Sequence, residues 1–123
     1  MRYLQTEREV KTMAEEEQST EMISFGIIAS AGQARSLAFE ALKKAKEHDF
    51  EAAKALLEQS KEAALEAHHV QTQLLSKEAL GDHTVVDVML VHAQDHLMTS
   101  MLAQELVEEI VNVYRELDAT RAE

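Results

Sequence analysis

The sequence predicts an all-α fold, a three-helix antiparallel up-and-down bundle, from three features. Three long stretches repeat apolar residues at intervals of three or four, which is the period of an amphipathic helix. The 123 residues include 3 Gly and no Pro, too few for the many turns of a β-rich fold. The connections between the stretches are short, as helical hairpins require. A chain of this length forms a single domain.

The first helix is predicted to begin at Thr20, where the apolar repeat starts, and to continue to about His48. Residues 1–19 are rich in charge and poor in apolar side chains. We interpret them as an acidic N-terminal lead-in that is disordered, because a short helix there has little to pack against. The three-helix domain then covers residues 20–117, and residues 118–123 form a C-terminal tail.

Capping and turn residues delimit the other two helices. Asp49 is expected to cap the second helix by accepting a backbone N–H bond. That helix runs to about Leu80, where Gly81 permits a left-handed stop. Thr84, with Asp87 three positions later, resembles a capping box in which Asp replaces Glu. It is expected to open the third helix.

Composition excludes several classes of function. The net charge of -11 repels nucleic acid and anionic membrane surfaces. Because the chain has no Cys, it has neither a thiolate metal site nor a thiol nucleophile. It contains no apolar run long enough to span a membrane and no export leader. A cytoplasmic protein without direct membrane insertion is therefore expected.

The third helix carries more apolar surface than two neighbouring helices can cover. One line of residues along it, which we call the apolar seam, recurs at steps of three or four. The apolar seam consists of Val88, Val91, Asp95, Met98, Leu102, Leu106, Ile110, Val113 and Leu117. Leu90, Leu97, Met101 and Val107 widen the stripe around the helix. Since so wide a stripe is buried on several sides, the sequence predicts a homo-oligomer, whose order it does not fix.

Ionisable groups interrupt this helix at one place, between residues 91 and 98. His92 and His96 lie about 40° apart on one helical face, so one small anion can touch both imidazoles. Asp95 lies about 60° to the other side of His92, within the apolar seam. A buried carboxylate must be protonated, paired or bound to a cation. In a cyclic assembly the copies of Asp95 converge, and their oxygen atoms suit Mg²⁺ or a similar divalent ion.

Three interpretations of this segment remain open on spacing alone. His92 can accept a phosphoryl group, with His96 donating a hydrogen bond to its oxygens. Alternatively, His92, Asp95 and His96 form a transition-metal site, since His at i and i+4 can share one ion. In the third interpretation they are polar residues of a helical oligomer that serves as a passive adaptor module.

The amino-acid sequence of this segment resembles the active-site helix of a known family. The family is the lactose/cellobiose-type enzyme IIA of the bacterial phosphoenolpyruvate-dependent sugar phosphotransferase system. The resemblance rests on His92-Ala93-Gln94-Asp95-His96-Leu97-Met98-Thr99, Ser30-Ala31-Gly32-Gln33-Ala34-Arg35-Ser36, Asp49-Phe50, Glu66-Ala67-His68 and Gln71-Thr72. It covers residues 20 to 117. These sequence motifs are more similar to those of the chitobiose/cellobiose branch of the family than to those of the lactose branch.

The resemblance implies a homotrimer, a nine-helix bundle with an active site in the cleft between neighbouring subunits. It implies that His92 accepts a phosphoryl group from the phosphocarrier protein HPr and passes it to a cysteine of the cognate enzyme IIB. This relay serves uptake of a β-linked disaccharide of the chitobiose, cellobiose or lactose type. Gln94 and His96 match positions beside the phosphoryl group. Asp95 matches a metal position on the threefold axis, for which Mg²⁺ is expected.

Overall fold

The structure is a computed structural model that describes residues 2–121 as three antiparallel helices. Helix α1 spans Arg2–Lys46, α2 spans Phe50–Ala79 and α3 spans Val88–Arg121. Helix α1 packs extensively against both α2 and α3, which contact each other less. The predicted three-helix bundle is confirmed.

A tight turn joins α1 to α2. His48 has a left-handed backbone (φ 63°), its N–H donates to the Ala45 carbonyl at 3.0 Å, and the Asp49 N–H donates to the Lys44 carbonyl at 2.9 Å. This pair of bonds is the Schellman motif, which satisfies the last carbonyls of a helix. The Asp49 side chain then accepts from the Ala52 N–H at 3.1 Å, as the sequence predicts for a cap.

The end of α2 repeats this geometry with a glycine in the left-handed position. Gly81 has φ 87°, its N–H donates to the Glu78 carbonyl at 3.0 Å, and the Asp82 N–H donates to the Lys77 carbonyl at 3.0 Å. A glycine adopts this conformation without the steric cost that a Cβ adds. The predicted stop at Gly81 is confirmed.

Helix α3 begins at Val88, four residues later than the predicted capping box at Thr84. The cap is Asp87 itself, whose side chain accepts from the Leu90 N–H at 2.8 Å. The Thr84 N–H instead donates to the Glu78 carboxylate at 3.3 Å. The residues after Thr84 are β-branched and weak helix formers, whereas an Asp at the N-cap directly satisfies a free backbone donor.

Helix α1 starts much earlier than predicted. It begins at Arg2 rather than Thr20, so residues 2–19 are helical and the expectation of a disordered lead-in is wrong for them. The segment contains no Gly or Pro, and its five Glu, two Arg and two Gln favour helix. With no breaker before Thr20, the helix continues towards the N-terminus. Met1 lies outside the described residues.

Helix α3 also extends beyond its predicted end. It continues to Arg121, so residues 118–121 of the predicted tail are helical. The cationic side chain of Arg121 lies in the last turn, where the helix dipole favours positive charge. Ala122 and Glu123 lie outside the described residues.

The core is built on small side chains of α1. Its buried positions are Ser24, Ile27, Ala31, Ala34, Ala38, Ala41 and Ala45. Five of them form core clusters with Leu97, Val107 and Val111 of α3 and with Ala53, Leu57 and Ala67 of α2; these five are Ile27, Ala31, Ala38, Ala41 and Ala45. The Ser60 hydroxyl of α2 donates to the Ala34 carbonyl at 2.6 Å. Small side chains at these positions allow the helix axes to approach closely.

The face of α3 opposite this core leaves large apolar side chains exposed. The exposed fractions run from 40% to 83% for Val88, Val91, Met98, Leu102, Leu106, Ile110, Val113 and Leu117. They are the apolar members of the apolar seam, so the predicted surplus of apolar surface is present on the single chain. Among residues 2–121, no helix is apolar over a long enough stretch to cross a membrane.

Candidate functional site

The two histidines of the candidate site lie one turn apart near the start of α3. Their ring centroids are 5.6 Å apart and the ring planes meet at 76°. His92 is exposed and His96 is half-buried. Neither ring forms a hydrogen bond to any group that the structure describes. The spacing predicts this pairing, and with ring centroids 5.6 Å apart one small ligand can contact both imidazoles.

Two other histidines contact acidic side chains, and both lie away from this pair. His48 Nδ1 is 2.9 Å from Asp118 Oδ1 at the α1–α2 turn, and His83 Nδ1 is 2.7 Å from Glu78 Oε1 after α2. The first contact joins the α1–α2 turn to the end of α3, and the second joins the end of α2 to the connection that follows it. The rings of His92 and His96 instead contact each other, which makes this pair the candidate for chemistry.

Asp95 is exposed on the single chain, flanked within the apolar seam by the exposed side chains of Val91 and Met98. None of the cationic side chains that the structure describes forms an ion pair with it. The Thr99 hydroxyl donates to the Asp95 carbonyl at 2.8 Å, a contact with the main chain only. The carboxylate oxygens are therefore available to a partner from outside the chain.

A transition-metal site built by one chain from His92, Asp95 and His96 is not found. No group of three or more His, Cys, Asp or Glu side chains in the described part of the chain is arranged to hold a metal ion. One carboxylate per chain is an incomplete ligand set. A carboxylate is nevertheless the donor that Mg²⁺ prefers, so Asp95 fits a metal site to which several chains contribute.

Gln94 is half-buried and faces α2 rather than His92. Two positions along a helix turn the side chain by about 200°, so the two residues lie on nearly opposite sides of α3. The Gln94 Oε1 accepts a hydrogen bond from Gln71 Nε2 of α2 at 2.6 Å. A single chain thus brings His92 and His96 together but not Gln94.

Gln71 is not among the site residues predicted from the sequence, although it belongs to a segment that carries the resemblance. It is buried on α2, where it follows Ala64 and Ala67 at helical spacing on the core side. A glutamine at an otherwise apolar position is the available signal, because a buried amide requires a hydrogen-bonding partner. The identity of that partner depends on the packing of α2 against α3.

Comparison with known proteins agrees with the helical bundle. Residues 22–115 match the family described as PTS system, Lactose/Cellobiose specific IIA subunit. The chain belongs to this family of phosphotransferase system subunits. It is a component of the chitobiose/lactose type, and its class of activity is that of a phosphotransferase that carries a phosphoryl group.

Individual relatives support the assignment. The chain is 51% identical over 108 residues to the N,N'-diacetylchitobiose-specific EIIA component of Escherichia coli strain K12, covering 88% of this chain and 92% of that protein. It is 42% identical over 98 residues to the lactose-specific EIIA component of Staphylococcus aureus strain N315, covering 80% of this chain and 95% of the relative.

Solved structures share the fold. The cellobiose-specific enzyme IIA of Bacillus anthracis matches with a TM-score of 0.77 and 44% identity, covering 81% of this chain and 92% of that one. The chitobiose IIA of Escherichia coli, solved in complex with HPr, matches with a TM-score of 0.70 and 50% identity. The match covers 80% of this chain and 96% of that one.

Proposed function

We propose that the chain relays a phosphoryl group through His92. An unprotonated ring nitrogen of His92 attacks the phosphorus of the phosphohistidine of HPr, a P–N bond to His92 forms, and the P–N bond to HPr breaks. In the second step a cysteine thiolate of the cognate enzyme IIB takes the phosphoryl group and the His92 imidazole is released. The relay serves the uptake of a β-linked disaccharide of the chitobiose, cellobiose or lactose type.

The observation that carries this proposal is the exposed imidazole of His92 beside a second imidazole, with ring centroids 5.6 Å apart. A carrier has to hold the group without trapping it, so positioning and modest charge stabilisation suffice. An N–H of His96 is one donor for the phosphoryl oxygens. Exposure of His92 allows the donor and acceptor proteins to reach the same nitrogen in turn.

We further propose that the working unit is a homotrimer, a nine-helix bundle in which the apolar seam faces the threefold axis. Asp95 then faces the axis, with His92 about 60° to one side and Gln94 about 100° to the other. In a ring of identical chains, one flank of each α3 meets the opposite flank of the next. This arrangement brings His92 of one subunit towards Gln94 of the partner subunit and completes the site in the cleft between them.

A divalent cation, Mg²⁺ by preference, is proposed to bind the copies of Asp95 on the trimer axis. The support is the chemistry of the donor, a carboxylate among apolar side chains with no cation from the described part of its own chain. When bound, the ion offsets the mutual repulsion of the carboxylates. It also reduces the negative field that these carboxylates exert on an incoming phosphoryl group.

The proposed partners are HPr and the cognate enzyme IIB. The Escherichia coli chitobiose IIA, whose solved structure includes HPr, shares 50% identity with this chain and supports HPr as the phosphoryl donor. The role of IIB is proposed from the membership of the chain in the lactose/cellobiose IIA family. The transported sugar is proposed to be bound by another component of that system.

Incubation with phosphoenolpyruvate, the first enzyme of the system and HPr tests the relay. The chain should acquire a phosphate that is labile in acid and stable in base, as a phosphohistidine is. Subsequent addition of enzyme IIB should remove that phosphate. A chain that stays unlabelled while HPr is fully phosphorylated would contradict the proposal and favour the adaptor or metal-binding interpretation.

A further inference from the structure

One hydrogen bond connects the core of the bundle to the site helix. Gln71 is buried on α2, and its Nε2 donates to Oε1 of Gln94 on α3 at 2.6 Å. The two residues are 23 positions apart in the sequence. This contact fixes the position of one end of the Gln94 amide relative to the bundle.

The part of α2 that carries Gln71 packs against the core. Ala67, one turn before Gln71, belongs to a core cluster with Ala93 and Leu97 of α3. Val70, the residue next to Gln71, packs against the same cluster. Because alanines in close-packed helices leave little room for movement, α2 presents the Gln71 amide at a defined height along α3.

The direction of the hydrogen bond determines what Gln94 can do. Its carbonyl oxygen is occupied by the Gln71 donor, so the amide NH₂ group, with its two N–H donors, is the part that points away from Gln71. A phosphoryl group presents only acceptor oxygens. A Gln94 that turned its oxygen towards that group would repel it, whereas the observed orientation offers donors.

We infer that Gln71 is a positioning residue for phosphoryl transfer, which holds the Gln94 amide so that its NH₂ group faces the phosphoryl group in the intersubunit cleft. This inference rests on the proposed function. Gln71 touches neither the phosphoryl group nor His92, and it acts only through Gln94. An amide held in place in advance loses no orientational freedom when the phosphoryl group arrives, which raises the rate of transfer.

The test measures transfer from phosphorylated HPr to the wild type, Gln71→Met, Gln94→Met and the double variant. Methionine keeps a similar volume and removes the hydrogen bond. We expect Gln71→Met to lower kcat by about 3- to 10-fold with an unchanged KM for HPr, since a hydrogen bond of ordinary net strength is lost. In the Gln94→Met background the same substitution should have no further effect on kcat.

The matched control is Gln104→Met. Gln104 is also a buried glutamine, on α3, and its Nε2 has no hydrogen-bond partner within the described residues. Removing its amide should leave kcat and KM unchanged. If Gln71→Met transfers as fast as the wild type, or slows transfer equally in both backgrounds, the inference is wrong while the relay stands. A wild type that accepts no phosphoryl group would overturn both.

A second measurement covers the case in which Gln71→Met does not fold. In a proton–nitrogen NMR spectrum of the wild type, the Gln71 side-chain amide protons should exchange slowly with solvent. Phosphorylation should shift the Gln94 amide protons. Fast exchange at Gln71, or Gln94 protons that do not respond to phosphorylation, would overturn the inference.

Discussion

Asp95 would pass from an exposed position on the single chain to an enclosed one in the proposed trimer. On the single chain its carboxylate is exposed, between Val91 and Met98. On a threefold axis the same carboxylate meets its own copies among apolar side chains. Desolvation and like-charge repulsion then disfavour assembly unless a cation binds.

Replacing this carboxylate with an apolar side chain should therefore preserve the trimer. We predict that Asp95→Leu remains trimeric and becomes insensitive to chelators, because such exchanges are often neutral or stabilising by about 1–4 kcal/mol. For the wild type, Mg²⁺ should raise the melting temperature, since a ligand of the folded assembly stabilises it by mass action. Melting curves with EDTA and with added Mg²⁺ measure both effects.

Asp82→Leu is the matched control, because Asp82 is an exposed aspartate in the α2–α3 connection, away from the apolar seam. This variant should keep the response of the wild type to Mg²⁺. If EDTA and Mg²⁺ leave the wild-type melting curve unchanged and Asp95→Leu dissociates, no axial metal site exists.

The site residues differ in how far the sequence could predict their geometry. The pairing of His92 with His96 follows from their spacing on one helix and is present in the structure. Spacing also places Gln94 on the far side of α3. The Gln71 contact could not be predicted in this way, because it depends on the rotation and height of α2 against α3, which packing determines.

The helix ends rely on a few side-chain caps. Asp49 caps α2 through the Ala52 N–H, and Asp87 caps α3 through the Leu90 N–H. The sequence pattern identifies the Asp49 cap, because a clear break in the apolar repeat precedes it. At α3 two candidate caps lie three residues apart, and the choice of Asp87 depends on the path of the connection.

Loss of the α2 cap should have a defined energetic cost. We predict that Asp49→Ala lowers the free energy of unfolding by about 1 kcal/mol, because one backbone donor loses its acceptor. Urea denaturation measures the effect. Asp82→Ala should change stability much less, since Asp82 forms only an exposed ion pair with Lys77 at 3.6 Å. Equal losses for the two variants would show that the Asp49 cap does not stabilise α2.

The early start of α1 illustrates what an amphipathic pattern does not reveal. The stretch that packs against α2 and α3 shows the apolar repeat, and the prediction therefore begins at Thr20. Residues 2–19 have few apolar side chains but contain good helix formers and no breaker. The pattern reports where a helix is buried, and propensity decides how far it continues.

In the part of the chain that the structure describes, the main feature left without an intramolecular partner is the apolar seam. Its large side chains are 40% to 83% exposed, a continuous line along α3. Contiguous apolar surface of this kind marks a protein interaction site. In the proposed trimer, a second and a third copy of the chain would cover this surface around the threefold axis.

A charge in the middle of this surface should prevent assembly. We predict that Leu106→Glu sediments as a single chain at micromolar concentration, whereas the wild type sediments as three. Leu65→Glu is the matched control, because Leu65 is an exposed leucine on α2 outside the apolar seam, and this variant should stay trimeric. A monomeric wild type, or a trimeric Leu106→Glu variant, would contradict the proposed interface.

Mapping the phosphoryl group on the wild-type chain tests the central claim most directly. After incubation with phosphoenolpyruvate, the first enzyme and HPr, tandem mass spectrometry at alkaline pH should find one acid-labile phosphate per chain, on His92. The His92→Gln variant should keep the helical fold and the trimer and acquire no label. A His92→Gln variant labelled to the wild-type extent, or a phosphate located on another residue, would contradict the assignment of His92 as the phosphoryl carrier.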